Sequence, residues 1–284
     1  MNEPPDILDW QQSYVENVRG VLRWNYLAKR PTIRVLDAGC DPTGKQLWHL
    51  AGLVHGSVTG INIRSGFPSL EAVALLRSRP NARLLRMDAL KMDFPDESFD
   101  LVISANLTEH IADPCQFIRE CYRVLKSTGL AYFETYPIWT SARGHHVMRC
   151  LVHQYCEADA DFRDDGSILP DWSHLRYSEA QVRELLAGRL SPKVVDYITN
   201  LIYHSHELNR TGWRRINGAF EEMFPVRQLT TNPVADPDIS QRPADGLDDY
   251  DVAGFRLTAR KVPEKLLPQL VRHLLLPRLR RLGL

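Results

Sequence analysis

Apolar residues recur along the chain in two alternating rhythms. Over residues 9–28 they fall at helical spacing, with Trp10, Tyr14, Val18, Val21 and Leu22 on one predicted face. Beyond that helix, short apolar runs of the buried-strand type alternate with helical stretches. Strands are predicted over 32–37, 57–62, 83–87, 99–104 and 129–136, and helices over 44–54, 67–79 and 113–126. The last of these helices carries its own start signal: Asp113 as cap, Pro114 at the first helical position and Gln116 as the reach-back partner. Repeated βα units of this spacing need right-handed crossovers, which predicts a doubly wound, mostly parallel sheet with helices on both faces.

The rhythm changes after Pro137. Residues 138–224 read as an inserted helical cap, with helix starts at Ser178 (with Gln181) and at Ser191-Pro192. Residues 226–231 and 251–261 read as an antiparallel pair that completes seven strands, joined by a mobile Pro/Asp-rich loop. The expected organisation is a helical lead-in (1–31), an α/β core (32–137), the cap (138–224), the last two strands (225–262) and a basic, leucine-rich tail (263–284).

Composition narrows this picture. The chain has 284 residues, enough for one substantial core with an appended unit. Lys+Arg and Asp+Glu both total 35, so bulk charge gives no pointer to nucleic acid, and none is expected as a partner. The five cysteines (Cys40, Cys115, Cys121, Cys150, Cys156) form no C-x-x-C pair, which argues against a disulfide framework or zinc knuckle and for a reducing, cytoplasmic setting. No apolar run approaches the length of a membrane span and no secretory signal is visible. The tail sets five basic residues against one acid. It is expected to pack on the domain or a partner, with weak contact to an anionic membrane surface as the alternative.

The richest local pattern is Arg34-Val35-Leu36-Asp37-Ala38-Gly39-Cys40-Asp41-Pro42-Thr43-Gly44, an apolar strand running into an acidic, glycine-bearing turn and then a helix. Such a turn lies at the carboxyl end of a parallel sheet, where open α/β folds bind ligands, and its glycines let backbone approach a nucleoside cofactor. Gly39 to Lys45 also spells G-x-x-x-x-G-K, seven of eight positions of a phosphate loop. Gln46 replaces the hydroxyl that would hold magnesium, and Asp37 adds negative charge that suits a cation such as an ammonium better than a triphosphate.

Four segments together resemble the class I S-adenosylmethionine-dependent methyltransferases: Val35-Leu36-Asp37-Ala38-Gly39-Cys40, Val58-Thr59-Gly60-Ile61-Asn62-Ile63, Met87-Asp88-Ala89-Leu90, and the run from Phe94 to Ser104. Leu107-Thr108-Glu109-His110-Ile111 and Glu120-Cys121-Tyr122-Arg123-Val124-Leu125-Lys126 extend the likeness. The resemblance implies a Rossmann-like methyltransferase fold that uses S-adenosylmethionine. Asp37, Gly39, Asn62, Asp88 and Ala89 would hold that cofactor, with Asn106 near its methionine end. Two positions depart from the pattern: Cys40 to Gly44 lack closely set glycines, and Asn62 stands where an acid usually takes the ribose hydroxyls.

The resemblance also implies methyl transfer to a small-molecule or saccharide acceptor, with oxygen as the expected atom. A non-catalytic cofactor-binding module is the rival reading, and a phosphate-transfer enzyme is the third. His110, His145 and His146 are the candidates for acceptor contact or proton removal. Asn106-x-x-Glu109-His110 resembles, with Asn for the first Glu, a metal-binding run of some methyltransferases, while the bland role for the Glu-His pair is to brace the next helix. Trp139, Trp172 and His174 could offer ring faces to a sugar, and Pro170 to Leu175 with Arg214-Arg215-Ile216-Asn217 resemble methyltransferases found with glycan-building enzymes. Core packing is the alternative for each of these rings.

Overall fold

The computed structural model describes residues 4–25, 27, 30, 32–148, 166–233, 240, 242, 243 and 248–262. Cys150, Cys156, His153, the 263–284 tail and most of the loop between the last two strands lie outside them.

The first helix, α1 (Asp9–Trp24), buries Tyr14, Val18, Val21 and Leu22, as the spacing predicts, together with Val15. Trp10 does not join that face and is 44% exposed. Gln11 is buried in its place, because its Oε1 accepts the Leu8 N–H and closes the first turn. Then follow β1 (Arg34–Ala38), α2 (Lys45–Ala51), β2 (Ser57–Asn62), α3 (Leu70–Leu76), β3 (Ala82–Arg86), β4 (Phe99–Ala105), α4 (Pro114–Val124) and β5 (Leu125–Thr135). Ser69 and Asp113 cap α3 and α4 by accepting the N–H groups of Ala72 and Gln116. Within the expected cap lie a helical turn (Ser173–Arg176), α5 (Glu179–Leu186) and α6 (Pro192–Tyr203), and α7 (Trp213–Met223) leads to β6 (Val226–Pro233) and β7 (Val252–Arg260).

The seven strands form one sheet in the order β3-β2-β1-β4-β5-β7-β6. Pairing from β3 to β5 is parallel, and β7 runs antiparallel to both β5 and β6. Strand side chains alternate between faces, so each strand splits its residues between two cores. Val35, Leu101, Ile103, Leu130 and Tyr132 pack with α1 and α2 on one face. Leu36, Val102, Ala131 and Phe133 pack with α4 and α7 on the other.

One expected boundary moves. Helix α7 falls within residues 138–224, yet Trp213, Ile216, Ala219 and Phe220 belong to the main core beside α4, with Phe220 against Phe133 at 4.9 Å between ring centroids. The cap proper is the separate cluster built on Trp139, Val147, Ile168, Leu169, α5 and α6. The amphipathic spacing of α7 is equally compatible with either core, so only the three-dimensional packing assigns it. No helix of the described residues is long and apolar enough to cross a membrane. Cys40, Cys115 and Cys121 are free and buried.

Candidate functional site

The alternation that builds the sheet also decides where Asp37 points. Val35 faces α1 and α2, and so does Asp37 two residues later. Its carboxylate is 1% exposed; Oδ2 accepts from Gln46 Nε2 at 3.4 Å, and Oδ1 has no hydrogen-bond partner. Burial pushes its pKa up to about 7, the Gln46 bond opposes the shift, and the charge of Asp41 adds to it. Tyr14 of α1 shares this compartment, and its hydroxyl is pushed well up by burial first and by Asp37 second.

Asp37 makes stability depend on pH. Its folded pKa of about 7 exceeds the ordinary value of 3.8, so its contribution is fully present below about pH 4 and is lost as the pH rises through 7. Asp37→Asn cannot ionise and escapes that loss. From about pH 4 to about pH 8, urea melts are expected to move in the variant's favour by up to about 4 kcal/mol relative to the parent. A difference that stays constant with pH would show that this carboxylate is solvated.

After β1 the chain turns at Gly39, whose φ of +79° is in the left-handed region. A Cβ there would lie 2.8 Å from Leu107 Cδ2, so glycine is what lets this turn pack directly against the loop after β4. The phosphate-loop reading fails on its donors. Gly39 and Cys40 N–H groups both donate to Ile61 O, Thr43 N–H to Asp41 Oδ1, Gly44 N–H to Asp41 O, and Lys45 N–H to Thr43 Oγ1. Each of these amides already has a protein acceptor, and Gln46 is engaged with Asp37.

The two departures from the family pattern prove to be coupled. Asn62 Nδ2 donates to Cys40 O at 2.9 Å, and its Oδ1 accepts from Arg64 N at 2.9 Å. An acid could not donate to that carbonyl, so Asn is the residue that can tie the end of β2 to the turn. Cys40 fits because residue 60 is glycine: a Cβ there would sit 2.6 Å from Cys40 Sγ. Farther along the rim, Asp88 Oδ1 accepts from Leu90 N at 2.8 Å, beside the buried Ala89. Met87 N donates to Asn62 O, which brings the 87–90 segment to the end of β2.

The loop after β4 opens at Asn106, another left-handed residue with φ +48°, whose N–H donates to Glu134 O. It continues into Glu109 and His110, and these meet His146 from beyond β5: one ligand atom from each lies within 4.8 Å of the others. Glu109 is buried; Oε2 accepts from Thr135 Oγ1 at 3.2 Å, and Oε1 is unpartnered. Burial raises its pKa to about 7, opposed by the nearby His110. His146 Nδ1 bonds Gly144 O at 2.8 Å, and its buried Nε2 has no partner. Burial lowers its pKa to about 3, so the ring is neutral. His110 Nδ1 bonds Glu207 O at 2.8 Å.

Adjacent histidines on a loop diverge, and the structure shows how. His145 turns into the cap, fully buried, where its Nδ1 accepts Val147 N–H and its ring lies 5.5 Å from that of His174. His174 Nε2 donates to Trp139 O, and Trp172 Nε1 donates to Thr140 O. These rings are interior cap residues, and an exposed aromatic platform for a sugar is not formed by Trp172, 2% exposed, or His174, 6% exposed. His145 therefore does not share the cluster that joins Glu109, His110 and His146.

Asn209 is the residue of this region that the sequence does not single out. Its Nδ2 donates to Thr108 O at 2.5 Å and to Ile111 O at 2.9 Å, its Oδ1 accepts Thr211 N–H, and its backbone N–H donates to Glu109 O. Together with Glu207 O it clamps the 108–111 turn from the far side. Thr135, at the end of β5, was equally silent, since a Thr at a strand end is ordinary β composition.

Sheet order and the glycine turn after β1 define a Rossmann-like α/β fold, with Asp37 at the carboxyl end of β1 and Asp88 and Glu109 beyond the ends of β3 and β4. Residues 36–133 match the family described as "Methyltransferase domain". The chain is 33% identical over 119 residues to the ubiquinone biosynthesis O-methyltransferase of Pseudomonas putida, covering 40% of this chain and 50% of that protein. It is 33% identical over 130 residues to the 2-methyl-6-phytyl-1,4-hydroquinone methyltransferase of Synechocystis, covering 45% and 40%. A probable S-adenosylmethionine-dependent methyltransferase of Mycobacterium tuberculosis is 35% identical over 112 residues, 38% of each chain. The fold is shared with phosphoethanolamine N-methyltransferase 2 of Haemonchus contortus, solved with S-adenosyl-L-methionine, at TM-score 0.50 and 13% identity over 87% of this chain and 53% of that one. Over residues 36–133 the chain is thus similar to S-adenosylmethionine-dependent methyltransferases and matches their domain family. It spans half the length or less of these curated relatives.

Proposed function

We propose that this chain transfers the methyl group of S-adenosylmethionine to a hydroxyl of a small, ring-bearing acceptor. The observation that carries this reading is the meeting of Glu109, His110 and His146 at the carboxyl ends of β4 and β5, with unpartnered atoms on Glu109 and His146. Two relatives support the acceptor class, one named for O-methylation in ubiquinone biosynthesis and one for a hydroquinone. None of the relatives named above is described by a saccharide.

The residues fit the cofactor. Gly39 lets the turn after β1 take its left-handed conformation tight against Leu107, and Asp37 keeps an unpartnered oxygen for the field of a cation. In this proposal Asp88 and Ala89 border the adenine, Asn62 holds the turn and offers its remaining N–H to the ribose, and Asn106 lies toward the methionine end. The cofactor supplies an already activated methyl group, so the chain's part is alignment and proton removal. Alignment of this kind contributes on the order of 7–11 kcal/mol. A hydroxyl must also lose its proton. His110, exposed at the rim, donates Nδ1–H to Glu207 O and so keeps a lone pair at Nε2 to receive it.

Release of S-adenosylhomocysteine on incubation with phenols, catechols and hydroquinones tests the reading, alongside calorimetry with the cofactor. His110→Ala is expected to lower turnover by about 10²–10⁴-fold with unchanged cofactor affinity. Cofactor binding without turnover on any acceptor would favour the non-catalytic module, and preference for ATP would discard the assignment.

A further inference from the structure

We infer that Glu109, His110 and His146 hold a first-row divalent cation on the acceptor side of the cofactor site. The three come from two separate parts of the chain, the loop after β4 and the turn beyond β5. The ion's role rests on the acceptor reading above, but its binding does not.

Geometry makes the first argument. The three donor atoms lie within 4.8 Å of one another. Metal bonds of about 2.0–2.2 Å put tetrahedral donors roughly 3.3 Å apart. Closing that gap takes a modest side-chain adjustment, and His110, exposed at the rim, has the room to make it.

The second argument is the state of the donor atoms. Glu109 Oε1 and His146 Nε2 are buried in residues only 3% and 4% exposed, and neither has a hydrogen-bond partner. Buried polar atoms are normally satisfied, so two orphans within one three-residue cluster call for an occupant. Both imidazoles are also set for ligation. A carbonyl oxygen can only accept, so the bonds to Glu207 O and Gly144 O place a proton on each Nδ1 and a lone pair on each Nε2. Metal-binding histidines are oriented in this way.

The third argument is backbone strain held in place. His146 has φ +57°, an uncommon conformation for a residue with a side chain. The turn before it is fixed by Gly144, where a Cβ would lie 2.1 Å from Trp139 O. Strain that the surroundings over-determine is found at functional sites. The sequence run suggested Asn106 with Glu109 and His110; the structure instead supplies a second imidazole, His146.

Donor chemistry selects the ion. Two nitrogens and one carboxylate oxygen suit zinc, cobalt, iron or manganese, whereas magnesium and calcium favour all-oxygen shells. Three protein ligands leave a position open, where a bound acceptor hydroxyl would become more acidic; with the ion bound, His110 Nε2 is a ligand, and this acidification replaces proton removal by the free imidazole.

The test is direct titration of the full chain after dialysis against a chelator, with Zn²⁺ by calorimetry and Co²⁺ by its visible absorption. One saturable site per chain is expected, weakened at least about 100-fold in His146→Gln and in Glu109→Gln, and retained in Asp88→Asn. His110→Gln alters an exposed side chain and serves if the buried variants fail to fold; it too is expected to weaken the site and change the Co²⁺ spectrum. Absence of a saturable site in the parent, or affinity unchanged in the folded variants, overturns the inference. Methyl transfer measured in parallel separates the two claims: turnover without a metal site removes this inference alone, and a metal site without turnover removes the acceptor reading alone.

Discussion

Gly39→Val is expected to weaken S-adenosylmethionine binding by at least about 100-fold, roughly 2.7 kcal/mol, while leaving most of the helix and sheet signal intact. Two costs coincide at this position. The backbone sits at φ +79°, where any L-residue is strained by about 1–2 kcal/mol and a β-branched one is a genuine outlier. The new Cβ would also lie 2.8 and 2.9 Å from Leu107 Cδ2 and Cβ. Leu107 cannot retreat freely, because Ile111 and His110 donate backbone N–H groups to its carbonyl and Asn209 pins the same turn. The strain therefore spreads to both sides of the site. Calorimetry with the cofactor, with circular dichroism as a check on folding, reads the result. Affinity within about threefold of the parent would mean that the cofactor is held elsewhere. Gly39→Ala, with the same φ and a smaller side chain, is expected to fall between the two.

The sheet was legible because its signals are local. Val35-Leu36 and Leu101-Val102-Ile103 are apolar on both faces, the pattern of a strand covered by helices on each side, and Asp113-Pro114 announces α4 within two residues. The turn at Gly39 and the segment at Asp88 could be read for the same reason. What failed to show were facts that depend on distant residues. Helix α7 has an amphipathic spacing that names a helix but not which core it joins. His145 and His146 are indistinguishable by composition, and only the turn that Gly144 makes under Trp139 sends one into the cap and the other toward His110. Gln46, which counted only as a missing hydroxyl, gains its role from Asp37 across the α2 face. Asn62, which in the sequence only stands in place of an acid, gains a role from Cys40 O, 22 positions away.

Asn209 is the extreme case, since its partners are 98 and 101 positions away in the chain. Asn209→Ala is expected to cost about 3 kcal/mol of stability, because it removes two buried donors and leaves the Thr108 and Ile111 carbonyls unsatisfied at about 1–3 kcal/mol each, less any access by water. Activity should suffer unevenly. The 108–111 turn carries Glu109 and His110 but not Asp37, Asn62 or Asp88, so turnover is expected to fall at least about tenfold while cofactor affinity stays within about twofold, the split that loss of positioning produces. Asn209→Asp sharpens the test. It keeps an acceptor for Thr211 N–H but faces two carbonyls with a carboxylate, so it should be worse than alanine in both stability and turnover. If Asp instead preserved turnover, the two donated bonds could not be what holds Glu109 and His110 together. A parallel loss of cofactor affinity in Asn209→Ala would place the damage in the cofactor cradle rather than on the acceptor side.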